Sequence, residues 1–198
     1  MKLIAFAGRA GSGKNTATEA LSKRFETSEL AFADPLYDAL SAMMGLQPMT
    51  DHDLRKLCQD RDFKESPSSA LSGMSPRQAL QQLGDWVRAT FGADYLIRRV
   101  QERLANIENS QWPSELAIIT DLRTEQEADW VRRHGGLVVH VTRPDHDRPL
   151  ATTLLCHTTE RTLNVYPGDD YLINSGTPDE LDTAVVTKVA HWMKRRAA

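Results

Sequence analysis

An α/β fold built on a mostly parallel sheet is predicted by three observations. Short apolar runs recur along the chain, at 3–7, 29–33, 115–121, 137–141 and 171–174. Stretches with helical periodicity separate them, and the run at 115–121 is almost continuously apolar, as expected of a central strand buried on both faces. The first run passes through a glycine-rich turn directly into a helix-like segment at 16–25. Alternation of this kind gives three layers, with helices on both faces of one sheet, here of five strands.

The turn at 8–16 reads Gly8-Arg9-Ala10-Gly11-Ser12-Gly13-Lys14-Asn15-Thr16. Its three glycines let backbone N–H groups face an anion with no Cβ in the way. The following helix N-terminus adds donors and partial positive charge, and Lys14 has the reach for the outer phosphates of a nucleoside triphosphate. Strand, glycine-rich loop, lysine and helix occur in the order a phosphate-cradling loop requires. The predicted architecture is therefore a three-layer P-loop NTPase fold. Asn15 follows the lysine, and the hydroxyl comes one position later, at Thr16.

After the second run, Asp34-Pro35 starts a helix, with the carboxylate expected as its cap and proline at its first position. Asp34 also stands at a strand's carboxyl end, where it would face a site, and both readings stay open. Residues 50–73 are polar and weakly periodic; a helix is expected to begin near Thr50-Asp51, and 65–69 reads as loop. Ser75-Pro76-Arg77-Gln78 is a capping box, so a helix starts there. Leu80, Leu83 and Val87 mark its apolar side, and Arg77, Gln81, Gly84, Asp85 and Arg88 form a row on the other. A solvated face is the plain reading of such a row. Two arginines with few matching acids, and a helical glycine that costs about 1 kcal/mol against alanine, suit a pocket or a close packing contact instead. A further helix is expected at 93–106, with Tyr95 near its start.

The central run ends in Asp121, with Arg123 two residues on, where open α/β sheets bind ligands. Thr124-Glu125-Gln126-Glu127 is a second capping box, so Glu127 reads as a cap or as a pocket residue. His140, inside an apolar strand, reads as a hydrogen-bonded core residue. The late segment at 143–169 lacks a long period and carries Arg143, Arg148 and Arg161, as expected of a lid that excludes water during phosphoryl transfer. Thr177-Pro178-Asp179-Glu180 opens a last helix, and Lys194-Arg195-Arg196 suits its C-terminus.

Length and composition suit a single domain over all 198 residues. The division expected is a core at about 1–34, 112–142 and 170–198, a helical acceptor-binding insertion at about 35–111, and the lid-like segment at about 143–169. A net charge of −3 with intermixed signs argues against a duplex-binding surface, so no nucleic-acid partner is expected. Cys58 and Cys156 form no CxxC pattern, and His146, Cys156 and His157 lack the spacing of a closed zinc site. No run is long enough to span a membrane, and the first apolar stretch is too short for a signal peptide. A soluble, cytoplasmic protein without a membrane partner is expected; a homodimer is left open.

No guanine-reading NKxD-type segment accompanies the loop, which argues against a switch GTPase. A small domain with a helical insertion and a late arginine-bearing segment suits a small-molecule kinase. At this level GRAGSGKNT at 8–16, FADPL at 32–36, RQALQQLG at 77–84, TDLRTEQEADW at 120–130 and YLINSGTPDEL at 171–181 together resemble bacteriophage deoxynucleoside monophosphate kinases. The similarity runs through nearly the whole chain in the right order. The resemblance implies transfer of the ATP γ-phosphoryl group to the 5′-phosphate of a deoxynucleoside monophosphate (dNMP), in a host-cell cytoplasm. It implies ATP contacts from Arg9, Ala10, Gly11, Ser12, Gly13, Lys14, Asn15 and Thr16, with Mg²⁺ bridged through ATP near Thr16 and no direct protein ligands. Arg77 and Arg123 would hold the acceptor phosphate, helped by Arg88. Asp34, Gln81, Gly84, Asp85, Tyr95, Asp121 and Glu127 would shape the dNMP pocket. Lys14, Arg77, Arg123, Arg143 and Arg161 would act in catalysis. The family often has aspartate at position 15, threonine at 85 and tryptophan at 95, so the accepted base stays open. A kinase of another phosphorylated acceptor, such as dephospho-coenzyme A, and a non-catalytic nucleotide-binding module are the alternatives.

Overall fold

The strands β1 (Lys2–Ala7), β2 (Thr27–Leu30), β3 (Leu116–Leu122), β4 (Leu137–Thr142) and β5 (Asp170–Ile173) form a sheet of order β2-β3-β1-β4-β5. Every neighbouring pair is parallel, so the sheet is wholly rather than mostly parallel. The computed structural model describes residues 1–46, 52–144 and 163–195, apart from the side chains at 52, 53 and 56. The chain forms two compact units, residues 1–31 with 103–198, and residues 32–102.

The first unit contains the sheet with α1 (Lys14–Ser22), α7 (Glu125–Arg133) and α8 (Pro178–Arg195). From β1 to β2 the chain steps one way across the sheet, and from β3 to β4 it steps back. Right-handed crossovers in opposite directions put α1 and α7 on opposite faces. On one face Ile4, Phe6, Ile118 and Val139 pack with Ala17 and Leu21 of α1 and with Leu181, Val185 and Val189 of α8. The alternate residues Ala5, Ala117 and Val138 are equally buried. Burial on both faces explains why these strands read as continuous apolar runs. Each large side chain so buried contributes about 1.5–3 kcal/mol relative to exposure. Because the strands are parallel, the carboxyl ends of β1, β3, β4 and β5 gather along one edge of the sheet.

The second unit holds α2 (Asp34–Met43), α3 (His52–Leu57), α4 (Arg61–Glu65), a 3₁₀ turn (Ser69–Leu71), α5 (Pro76–Phe91) and the start of α6 (Tyr95–Glu108). Its own small core gathers Leu40, Leu54, Cys58, Leu71 and Ala79, with Tyr37, Phe63 and Leu80 against them. The helix expected to run through Leu54 and Leu57 is present as α3, whereas α4 and the 3₁₀ turn were not foretold by the weak periodicity. The expected helix start at Thr50-Asp51 lies outside the described residues; α3 is described from His52.

Two local expectations are corrected. The second strand spans 27–30, not 29–33, because its pairing with β3 ends at Leu30 and the backbone turns helical at Ala33. Ala33, not Asp34, caps α2, with φ −81° and ψ −4° and no side-chain capping bond. Asp34 is the first helical residue, and its carboxylate is buried against Arg55 instead, Oδ1 to guanidinium 3.2 Å. The capping boxes at Ser75–Gln78 and Thr124–Glu127 both form as read. His140 is a buried, hydrogen-bonded residue of β4, its Nε2 3.0 Å from Asp169 Oδ2.

Candidate active site

The loop after β1 is shaped by close backbone approach. Gly8 has φ +148°, and an added Cβ would lie 2.3 Å from the Val141 carbonyl of β4 and 2.8 Å from Ser12 Oγ. Gly13, at φ +107°, caps α1, and its Cβ would lie 2.5 Å from Asn174 Nδ2. Any other residue at either position would meet both backbone strain and a clash. Ser12 N–H turns back to the Arg9 carbonyl at 3.2 Å, and α1 begins with Ala17 N–H on the Gly13 carbonyl at 2.9 Å. Arg9, Ala10 and Gly11 are exposed at the tip, whereas Ser12 is buried beneath it.

Lys14 folds its ammonium over this turn, donating to the Gly8 carbonyl at 2.6 Å and the Arg9 carbonyl at 2.8 Å. Burial, and then the positive charge of Arg123, bring its pKa down to about 8, with Asp121 pulling the other way. Lys14, Asp121 and Arg123 therefore lie within one another's electrostatic reach. A cavity of about 280 Å³ opens here, lined by Gly11, Gly13, Lys14, Asn15 and Thr16 of the loop together with Arg143 and Asn174. A larger depression of about 720 Å³ runs along α8 past Asp170, Thr183 and Lys188. It is open surface whose lysine is already paired with Asp170 at 2.6 Å, and the loop takes no part in it. The smaller cavity is the one with converging donors.

Arg123 owes its position to the second capping box. Glu127 Oε2 accepts from the N–H groups of both Arg123 and Thr124 at 3.0 Å, while Thr124 Oγ1 accepts from Glu127 N–H at 3.2 Å. The Glu127 carboxylate is buried, and what it visibly does is start α7 and hold the Arg123 backbone. The Arg123 side chain stays exposed.

The other residues expected around a dNMP belong to the second unit. Arg77, in the first turn of α5, donates to Glu65 Oε1 at 2.8 Å. Gln81 and Arg88 are half-buried and Asp85 is exposed. Gly84 is buried on the packing side of α5; its Cβ would lie 3.3 Å from Leu36 Cδ1 and 3.2 Å from the Arg88 guanidinium. Packing against α2 thus accounts for this costly helical glycine. The Tyr95 ring lies 5.1 Å from that of Phe91, with the Arg98 guanidinium 5.9 Å from its centroid. Arg161 and Arg148 lie outside the described residues, as does most of the lid-like segment.

Two polar residues of these units carried no assigned role. Arg55 holds Asp34, and no motif marks it. Asn174 touches the loop from the end of β5. Its only sequence signal is a polar residue closing an apolar strand, the same signal that singled out Asp121.

Parallel sheet, glycine loop, lysine at the start of α1 and strand-end groups around it define the P-loop kinase class. Residues 62–185 match the model of the deoxynucleotide monophosphate kinase family, and the chain belongs to that family. A protein of Acanthamoeba polyphaga mimivirus described as "Putative deoxynucleotide monophosphate kinase" is 26% identical over 201 residues, covering 96% of each chain. Among solved structures, a gluconokinase from Sinorhizobium meliloti 1021 aligns over 100% of this chain and 98% of its own, at 15% identity and a TM-score of 0.44. An unliganded sugar kinase from Janibacter sp. HTCC2649 aligns over 94% and 93%, at 15% identity and a TM-score of 0.38. Among the described residues no helix is long and apolar enough to cross a membrane.

Proposed function

We propose that the protein transfers the γ-phosphoryl group of ATP to the 5′-phosphate of a deoxynucleoside monophosphate, releasing ADP and a deoxynucleoside diphosphate. The observation that carries this reading is the cavity at the phosphate loop, lined by Gly11, Gly13, Lys14, Asn15, Thr16 and Arg143, with Arg123 in electrostatic reach of Lys14. Two cations held close enough for one to depress the other's pKa are relieved by an anion, and family membership supplies the kind of anion.

Phosphoryl transfer asks for alignment and charge neutralisation more than for covalent chemistry. The backbone donors of Gly11, Gly13, Asn15 and Thr16 are suited to the ATP phosphates, and Lys14 is suited to leave its loop carbonyls for the outer two. Arg123 is assigned to the acceptor phosphate, and Arg143, beside the same cavity, to charge developing on the transferring group. Arg77, Gln81, Asp85, Arg88 and Tyr95 keep the acceptor roles that the resemblance implies for them.

The donor set fits a magnesium ion carried by the nucleotide. Thr16 offers a hydroxyl beside the cavity and Asp121 a carboxylate within the field of Lys14, both hard oxygen donors. Among the described residues no three His, Cys, Asp or Glu side chains converge as a ready-made cage, so phosphate oxygens and water would complete the shell. When bound with ATP, Mg²⁺ neutralises charge on the outer phosphates.

A coupled ADP-release assay across standard and base-modified dNMPs, with dephospho-coenzyme A as a further acceptor, tests the reading. Turnover with at least one dNMP is expected, falling by about a hundredfold or more in Lys14→Ala, as on loss of a preorganised charge-stabilising donor. Undiminished turnover in that variant, or activity on dephospho-coenzyme A alone, would overturn it.

A further inference from the structure

Asn174 is the first residue beyond β5. Its backbone N–H donates to the Thr142 carbonyl at 2.8 Å, continuing the pairing of β4 with β5 by one residue. The sheet therefore fixes where the side chain starts. The residue is almost wholly buried, 9% exposed, and its Nδ2 donates to the Ser12 carbonyl at 3.0 Å. The room it occupies is the room a Cβ on Gly13 would fill.

The Ser12 carbonyl and the Gly13 N–H belong to one peptide group. A trans peptide points these two groups in opposite directions, and the described chain has no cis peptide. Holding the carbonyl towards Asn174 thus holds the N–H away from it. Among the described residues the Gly13 N–H has no hydrogen-bond acceptor, although the residue lines the cavity at the phosphate loop. A peptide followed by glycine is also one of the easiest to flip, because glycine tolerates both signs of φ. The sequence that gives the loop its close approach leaves this donor free to turn inward, and the bond from Asn174 opposes that turn.

We propose that Asn174 is a positioning residue of the phosphate loop, pinning the Ser12 carbonyl so that the Gly13 N–H is kept outward as a preformed phosphate donor. The proposal rests on the reading of this loop as the ATP site. Asn174 acts through the peptide and not on the reacting atoms, so its effect belongs to the triphosphate and not to the base or the acceptor.

The test is calorimetric binding of inorganic tripolyphosphate and of ATP, both with Mg²⁺, to the full chain and to Asn174→Ala and Asn174→Leu. The leucine keeps the approximate shape of the side chain and loses the N–H donor without adding charge, so it also serves if the alanine variant does not fold. Both probes are expected to weaken by about tenfold or more in either variant, the scale of one lost hydrogen bond that serves a charged ligand. The KM for the acceptor should stay unchanged. Tripolyphosphate binding at wild-type strength in a folded variant overturns the proposal. So does a loss confined to ATP, which would place Asn174 against the nucleoside. If the wild-type protein binds neither probe, the reading of the loop itself fails, and the pin with it.

Discussion

Lys14 of the phosphate loop and Arg123 stand within electrostatic reach of each other, and the arginine adds to burial in bringing the lysine pKa down to about 8. Neither charge is satisfied by the other. Lys14 spends its donors on two loop carbonyls, and Arg123 projects into solvent from the start of α7.

A bound polyphosphate supplies the missing counter-charge and should raise the Lys14 pKa back towards its ordinary value. Nucleotide binding is then expected to take up protons above pH 8 and to take up almost none on this account at pH 6.5. Calorimetry in two buffers of different ionisation enthalpy measures the uptake directly; none at pH 9 would contradict the coupling. The sign for the unliganded fold runs the other way. A lysine whose folded pKa lies below its unfolded value binds fewer protons when folded, so stability attributable to it rises between about pH 8 and 10.5. Comparing Tm against Lys14→Met over that range isolates the effect.

Arg123→Ala should separate donor from acceptor. The KM for the dNMP is expected to rise by about 10- to 100-fold, the scale of a lost charge-assisted contact, with ATP affinity little changed. Steady-state kinetics with each substrate varied in turn decides it. Equal loss on both sides would move Arg123 to the ATP half of the reaction.

Glu127 carries a capping bond that can be tested apart from any contact with nucleotide. Glu127→Ala should cost about 1–2 kcal/mol, by loss of a buried acceptor shared by two backbone N–H groups. In a chain of this size that is a fall in Tm of about 2–8 °C. Glu127→Gln retains an acceptor oxygen and should recover much of the loss. Recovery of Tm without recovery of the acceptor KM would assign the carboxylate a second role against the dNMP.

Asp169 ties the return from the late segment to the first unit. Burial raises its pKa, but hydrogen bonds from Arg132 and His140 reverse that and leave it lowered overall. Its side chain is 2% exposed and lies 2.8 Å from the Arg132 guanidinium. A depressed carboxylate contributes stability that is present above its unfolded pKa and lost as pH falls through the folded one. Asp169→Ala should cost about 3–5 kcal/mol, as on removing one partner of a buried ion pair, measured by urea unfolding at pH 7. In Asp169→Asn the loss of stability on acidification below about pH 4 should be shallower than in the wild type.

Patterns confined to a few consecutive residues were legible in the chain itself. The apolar runs at β1, β3 and β4 became strands nearly as read, since strands buried on both faces have no polar side to interrupt them, whereas the half-exposed β2 was displaced by two residues or more. Both capping boxes formed because a Ser or Thr and a residue three positions later satisfy each other locally. The glycine loop announced a polyphosphate for the same reason. Asp34 misled because a cap and a buried ion pair ask for the same carboxylate, and only the placement of Arg55, 21 residues away, distinguishes them. Gly84 read as either a pocket residue or a close packing contact, and the approach of Leu36 on α2 is a packing contact of the kind expected.

By itself, then, the sequence determined a phosphate loop, a parallel sheet and the family, all of which rest on short-range periodicity or on motifs. The tertiary structure decided which distant groups share the loop's surroundings. Arg123 reaches the field of Lys14 because β3 lies beside β1, and Asn174 reaches Ser12 across 162 residues because parallel strands end on one edge of the sheet. The side-chain period of a strand says which face a residue takes, and says nothing of which strand lies beside it.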